Sequence, residues 1–88
     1  MKREDVYKII DSERDYQESQ WAGHNHEVGA YLTMLRYYLT DAERAWTKNN
    51  GDGPALDVIR KIGSIAVACM EEHGVEKRVI NLNTIPVK

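Results

Sequence analysis

The chain predicts an all-α fold: a three-helix antiparallel bundle with long second and third helices, a short extended C-terminal arm, and assembly into an oligomer. Apolar residues recur at spacings of three and four through three separate segments, which is the period of an amphipathic helix. Two clusters of turn-forming residues, Ala22-Gly23-His24-Asn25-His26 and Asn49-Asn50-Gly51-Asp52-Gly53-Pro54, divide those segments. Neither a repeat nor a low-complexity tract breaks residues 1–88 into more than one domain.

The first helix is expected over about residues 3–20. Val6, Ile9, Ile10, Glu13, Tyr16 and Gln17 form its narrow stripe, and Glu4 and Asp5 suit the positive end of the helix dipole. Trp21 is expected to fold back as a plug. The second helix, about 27–48, is the best supported, because Val28, Tyr31, Leu32, Leu35, Tyr38, Leu39, Ala42, Ala45 and Trp46 stay in register over about six turns. Pro54 suits the first turn of a third helix over about 54–73, and Gly74 suits its C-terminal cap. The stretch from Ile62 to Met70 is apolar nearly all round, so this helix is expected to be central or to contact another subunit. Residues 75–88 form the arm, in which Val79-Ile80-Asn81-Leu82 suits a short strand or an extended packing segment.

Composition narrows the function. A single domain of 88 residues buries only roughly 60 to 65% of the surface its unfolded chain exposes, which favours a homo-oligomer. Twelve basic and 14 acidic side chains leave a net charge of -2, without the basic footprint of a nucleic-acid binder. No apolar run reaches the ~18 residues of a membrane span, and MKREDVYK is too charged for a signal peptide, so the expected location is cytoplasmic, with no membrane partner. The lone Cys69 has no intrachain disulfide partner, which fits a reducing compartment.

Phosphate-loop, paired-cysteine zinc and nucleophile-elbow signatures are all missing. His24 and His26 are the nearest approach to a metal motif, and two histidines without a third ligand favour a loop or capping role. A more informative set spans the helical hairpin. Tyr38 and Asp41 lie three apart on the second helix, while Asp57, Arg60 and Lys61 cluster on the third at a comparable distance from the turn. Two readings stand side by side: Tyr38 in the core beside a solvated charged face, or an anion pocket in which Arg60 or Lys61 meets a phosphate while Tyr38 stacks or hydrogen-bonds.

Several pieces in order, Ser12-Glu13-Arg14-Asp15-Tyr16-Gln17 with Trp21, the His24 to Val28 loop, Leu39 to Trp46, Ala55-Leu56 and Val67-Ala68-Cys69-Met70-Glu71-Glu72-His73-Gly74, resemble small phage and prophage proteins related to MazG. Those proteins belong to the all-α nucleoside triphosphate pyrophosphohydrolases. The resemblance covers about residues 10–78 and implies a helical oligomer acting on nucleotides, in the host cytoplasm if viral. Catalytic members hold magnesium with a Glu-x-x-Glu pair on one helix and a Glu-x-x-Asp pair on the next, since hard cations take oxygen ligands. Aligned on Leu39 and Trp46, the first pair falls on Tyr38 and Asp41; aligned on Ala55 and Leu56, the second falls on Val58 and Lys61. Three of the four positions thus lack a carboxylate.

The expectation is a protein with no catalytic residues, no metal and no cofactor, which binds and sequesters a nucleotide or nucleotide-derived signal, for a phage acting against a host pathway. Lys61 would serve as a fixed cation that activates no water. Glu13, Gln17 and Trp21 would surround the other end of the ligand, with Trp21 on the base and Gln17 on its edge. For each a blander role competes: a surface ion pair, a helix cap and a hydrophobic plug. The ligand set is therefore Glu13, Gln17, Trp21, Tyr38, Asp41, Asp57, Arg60 and Lys61. The alternatives are a magnesium-dependent pyrophosphohydrolase using Asp41, Glu43, Asp57 and Glu13, and a protein-interaction module with no small ligand.

Overall fold

The computed structural model describes residues 1–21, 25–49 and 51–79. They form three α-helices: α1 (Arg3–Trp21), α2 (Val28–Lys48) and α3 (Gly53–His73). Each boundary falls within a residue of its sequence expectation, because the capping chemistry is local. Pro54 occupies the first turn of α3, where a missing N–H costs nothing. At the other end Gly74 adopts φ 92°, a left-handed conformation glycine reaches without a Cβ penalty, and its N–H donates to the Met70 carbonyl at 2.8 Å. The Asn49 side chain closes α2 by donating to the Ala45 carbonyl at 2.6 Å.

α2 and α3 form an antiparallel hairpin. Trp46 Nε1 donates to Asp52 Oδ1 at 3.2 Å beside the turn, and the Tyr31 and His73 rings lie 6.1 Å apart at the far end. α3 packs on both other helices, chiefly α2, whereas α1 and α2 do not pack on each other. The arrangement is therefore two helices laid on a central third, rather than a closed bundle. This explains the apolar circumference of α3 within one chain: its residues from Ile62 to Cys69 are buried or half-buried.

α1 departs furthest from expectation. Val6, Ile9 and Tyr16 are exposed, and the only buried residue of the helix is the polar Gln17. Its closest apolar seat is Ile10 on Gly63, where a Cβ built on the glycine would lie 3.0 Å from Ile10 Cδ1. Trp21 is 54% exposed and so is not a plug, and Trp46, in register with the apolar face of α2, is 61% exposed. Beyond Gly74, residues 75–79 have no regular structure and Val75 and Val79 are exposed. The rest of the expected arm, including Ile80 to Leu82, lies outside the described residues, as does His24. Among the described residues no helix is long and apolar enough to cross a membrane.

Candidate functional site: a groove between the first and second helices

Because α1 and α2 stand apart on α3, a groove runs between them with α3 as its floor. It has two lobes of about 490 and 570 Å³ that share Gln17 and Trp21 from α1, Tyr38 from α2 and Ile65 from α3. From α3 the groove takes Ile65, Ala68 and Lys61 among others, with Ile65 buried and Ala68 and Lys61 half-buried.

The larger lobe adds Glu13, Tyr16, Arg60 and Lys61. Six of the residues expected to bind a ligand, Glu13, Gln17, Trp21, Tyr38, Arg60 and Lys61, therefore line one continuous groove. Asp57 and Asp41 do not line it. Asp57 stands one turn away and holds Arg60 at 2.6 Å and Lys61 at 3.8 Å, while Asp41 is half-buried on α2.

The two cations differ in availability. The Arg60 guanidinium bridges Asp57 and, at 2.8 Å, Glu13 of α1. Its hydrogen bonds to Asp57 and then to Glu13 hold its proton more tightly still, and in return Arg60 keeps the Asp57 carboxyl below its ordinary value. Both charges of Arg60's neighbours are thereby answered inside the protein. Among the described residues Lys61 has only the long contact to Asp57, and its side chain is 41% exposed. Of the two, Lys61 is the cation left to meet an anion.

Gln17 is likewise engaged. Its Nε2 donates to Ser64 Oγ at 2.6 Å, its Oε1 accepts from Arg14 at 3.4 Å, and Ser64 Oγ donates onward to the Lys61 carbonyl at 2.9 Å. With Gln17 5% and Ser64 0% exposed, this amide works as a buried clasp between α1 and α3, which competes with reading a base edge.

The smaller lobe adds a polar cluster that sequence reasoning did not assign to a site. Arg14 donates to Glu71 at 2.8 Å and to Glu18 at 3.0 Å; the hydrogen bond to Glu71 raises the affinity of Arg14 for its proton and lowers that of Glu71. Glu72 accepts the His26 backbone N–H at 3.2 Å and faces His73 Nε2 at 3.0 Å, and that same nitrogen lies 2.7 Å from the His26 carbonyl. Both oxygens are acceptors, so Nε2 carries the proton. Tyr31 packs its ring edge-on to His26 at 5.4 Å, and burial followed by the nearby Glu72 charge pushes its hydroxyl pKa up. The signal for this cluster is the run Glu71-Glu72-His73 in the last turn of the apolar helix α3, at the end of the hairpin where α2 begins.

Among the described residues no group of three His, Cys, Asp or Glu side chains is arranged to hold a metal ion. Glu13, one carboxylate of the alternative catalytic set, faces Arg60 instead.

Fold and groove define a class: a small α-helical protein in which an N-terminal helix rests on one arm of a helical hairpin and leaves an amphipathic cleft beside the other. No protein-family model, curated protein or solved structure matches the chain. The resemblance to MazG-related proteins accordingly rests on the residues quoted for it.

Proposed function

We propose that this protein binds a nucleotide or nucleotide-derived signalling molecule in the groove without hydrolysing it. The observation that carries the reading is the convergence of Trp21, Tyr38 and Lys61, from three different helices, on one lobe of about 570 Å³. That volume falls in the range of small-molecule sites, and aromatic walls with one weakly paired cation suit a planar base joined to a phosphate. Trp21, at the exposed end of α1, offers a stacking face. Lys61 offers a compact ammonium with freely oriented donors. A lysine neutralises phosphate charge without generating a nucleophilic water, so the groove retains its ligand rather than cleaving it. The resemblance to phage proteins supports sequestration as the biological outcome.

A thermal-shift screen of nucleotides and cyclic dinucleotides tests the reading. A ligand present at about 100 times its dissociation constant stabilises the fold by about 2.7 kcal/mol. Lys61→Ala should weaken a phosphorylated hit while its circular dichroism stays that of the parent, and Trp21→Ala should weaken it too. No pyrophosphate should be released from nucleoside triphosphates with magnesium or manganese. Silence across the screen rejects ligand binding, and turnover abolished by Asp41→Ala rejects the non-hydrolytic role in favour of the pyrophosphohydrolase.

A further inference from the structure

The edge of the hairpin opposite the groove carries a second feature. Val28, Leu32, Leu35, Leu39, Ala42 and Trp46 follow one another along α2 in alternating steps of four and three, the heptad spacing of a helix that packs on other helices. α3 covers only part of this seam: Ala42 is buried and Leu35 half-buried, whereas Leu32, Leu39 and Trp46 are 61%, 54% and 61% exposed. These three sit one position after the α2 residues that face α3, namely Tyr31, Tyr38 and Ala45. Ile59 and Met70, each one position after a core-facing residue of α3, fall on the same edge and are also exposed. In an antiparallel helix pair such equivalent positions share one side, so the hairpin presents a continuous apolar strip away from the ligand groove.

The charges beside the strip say what covers it. Arg36 and Glu43 flank Leu39 seven residues apart on the outer side of the seam, both exposed and with no ion pair among the described residues. Leu32 and Trp46 stand seven residues either side of Leu39, and Arg36 and Glu43 stand three before and four after it. If a second α2 lies antiparallel with Leu39 on Leu39, each Leu32 lies opposite the partner's Trp46, and each Arg36 lies one residue, about 1.5 Å along the axis, from the position opposite the partner's Glu43, an offset these long side chains span. An isologous two-fold contact requires this self-complementarity, and a parallel alignment would not bring these two residues together.

We propose that the protein is a two-fold dimer in which α2 packs antiparallel on the α2 of a second copy, centred at Leu39 and aligned by two reciprocal Arg36–Glu43 pairs. Two hairpins then form a four-helix core, with the grooves and α1 on the outside. The dimer does not depend on the ligand reading, because the strip and the groove lie on opposite edges.

Sedimentation equilibrium with a charge-reversal set tests it. The wild type sediments as a dimer, and Leu39→Glu, at an exposed position, sediments as a folded monomer by circular dichroism. Arg36→Glu alone and Glu43→Arg alone each set like charges opposite one another and weaken association on the order of tenfold or more. The double variant Arg36→Glu, Glu43→Arg restores the pairing and returns association toward wild type. A monomeric wild type, its strip bare or covered by its own residues 80–88, overturns the proposal. So does a dimer that Leu39→Glu leaves intact, or one whose double reversal is no stronger than the single ones.

Discussion

Gln17 occupies the position on α1 where an amphipathic helix would ordinarily bury a leucine, and it stays there because both ends of its amide are answered. Its Nε2 reaches Ser64 Oγ at 2.6 Å, and Ser64, fully buried, passes the bond to the Lys61 carbonyl. A buried amide that loses its partner is penalised by about 1–3 kcal/mol, more than an intact bond contributes. Ser64→Ala is therefore expected to destabilise the protein by about that amount in urea titrations, as is Gln17→Ala. Pairing Ser64→Ala with Gln17→Met removes both polar partners and should cost less than the two single losses added. Strict additivity would show that the clasp contributes nothing beyond its separate ends. The same bond bears on the ligand site, because the chain carbonyl it fixes belongs to Lys61.

At the scale of elements, α1 is attached differently from the others. α2 and α3 join through apolar seams, while α1 meets α3 through Gln17, the Glu13–Arg60 pair, the Arg14–Glu71 pair and Ile10 on Gly63. Arg14 holds the Glu71 carboxyl below its ordinary value of 4.5. Within α3, Arg60 does the same to Asp57, whose ordinary value is 3.8. Carboxylates with lowered folded-state values stabilise the fold above their ordinary values, and that contribution disappears as the pH falls through the lowered ones. Both side chains are about half exposed, so solvent screens much of the effect. Melting followed from neutral pH to below 3.8 should show stability falling on the acid side, with a shallower fall for Glu71→Gln. Parallel curves would remove the Arg14 pair from the account of how α1 is held.

For the molecule as a whole, the buried apolar set among the described residues is Tyr31, Ala42, Ala55 and Ile65, two of them alanines. So small a core stabilises a chain of this size weakly, and in the proposed dimer the exposed strip on α2 would add to it. Association that is linked to folding makes stability depend on protein concentration. The melting temperature of the wild type should thus rise with concentration, while that of Leu39→Glu should be lower and flat. A concentration-independent wild type would argue that each chain is stable alone.

Much of this was legible in the sequence wherever the cause was local. The three helices follow from apolar residues at steps of three and four, and their ends follow from Pro54, Asn49 and Gly74, whose effects act within a turn. The closeness of Tyr38 and Lys61 was legible too, because a hairpin with a short turn fixes which depths face each other. What the sequence left open depended on choices among partners of similar energy. Arg60 had Asp57 beside it in the chain, yet it also takes Glu13 from a helix 47 residues away. Gln17 was suited to a ligand or to a helix cap until Ser64 was brought against it. Trp21 and Trp46 have the composition of core residues and lie at the surface, because α1 rests on α3 alone and α2 turns part of its seam outward. By itself the sequence determined the elements and their breaks, since helical period and capping belong to a single stretch of chain. Only the tertiary structure decided that α1 and α2 stand apart to open a groove, and that most of a heptad seam stays bare. Both outcomes depend on where distant helices come to rest, which no local spacing specifies.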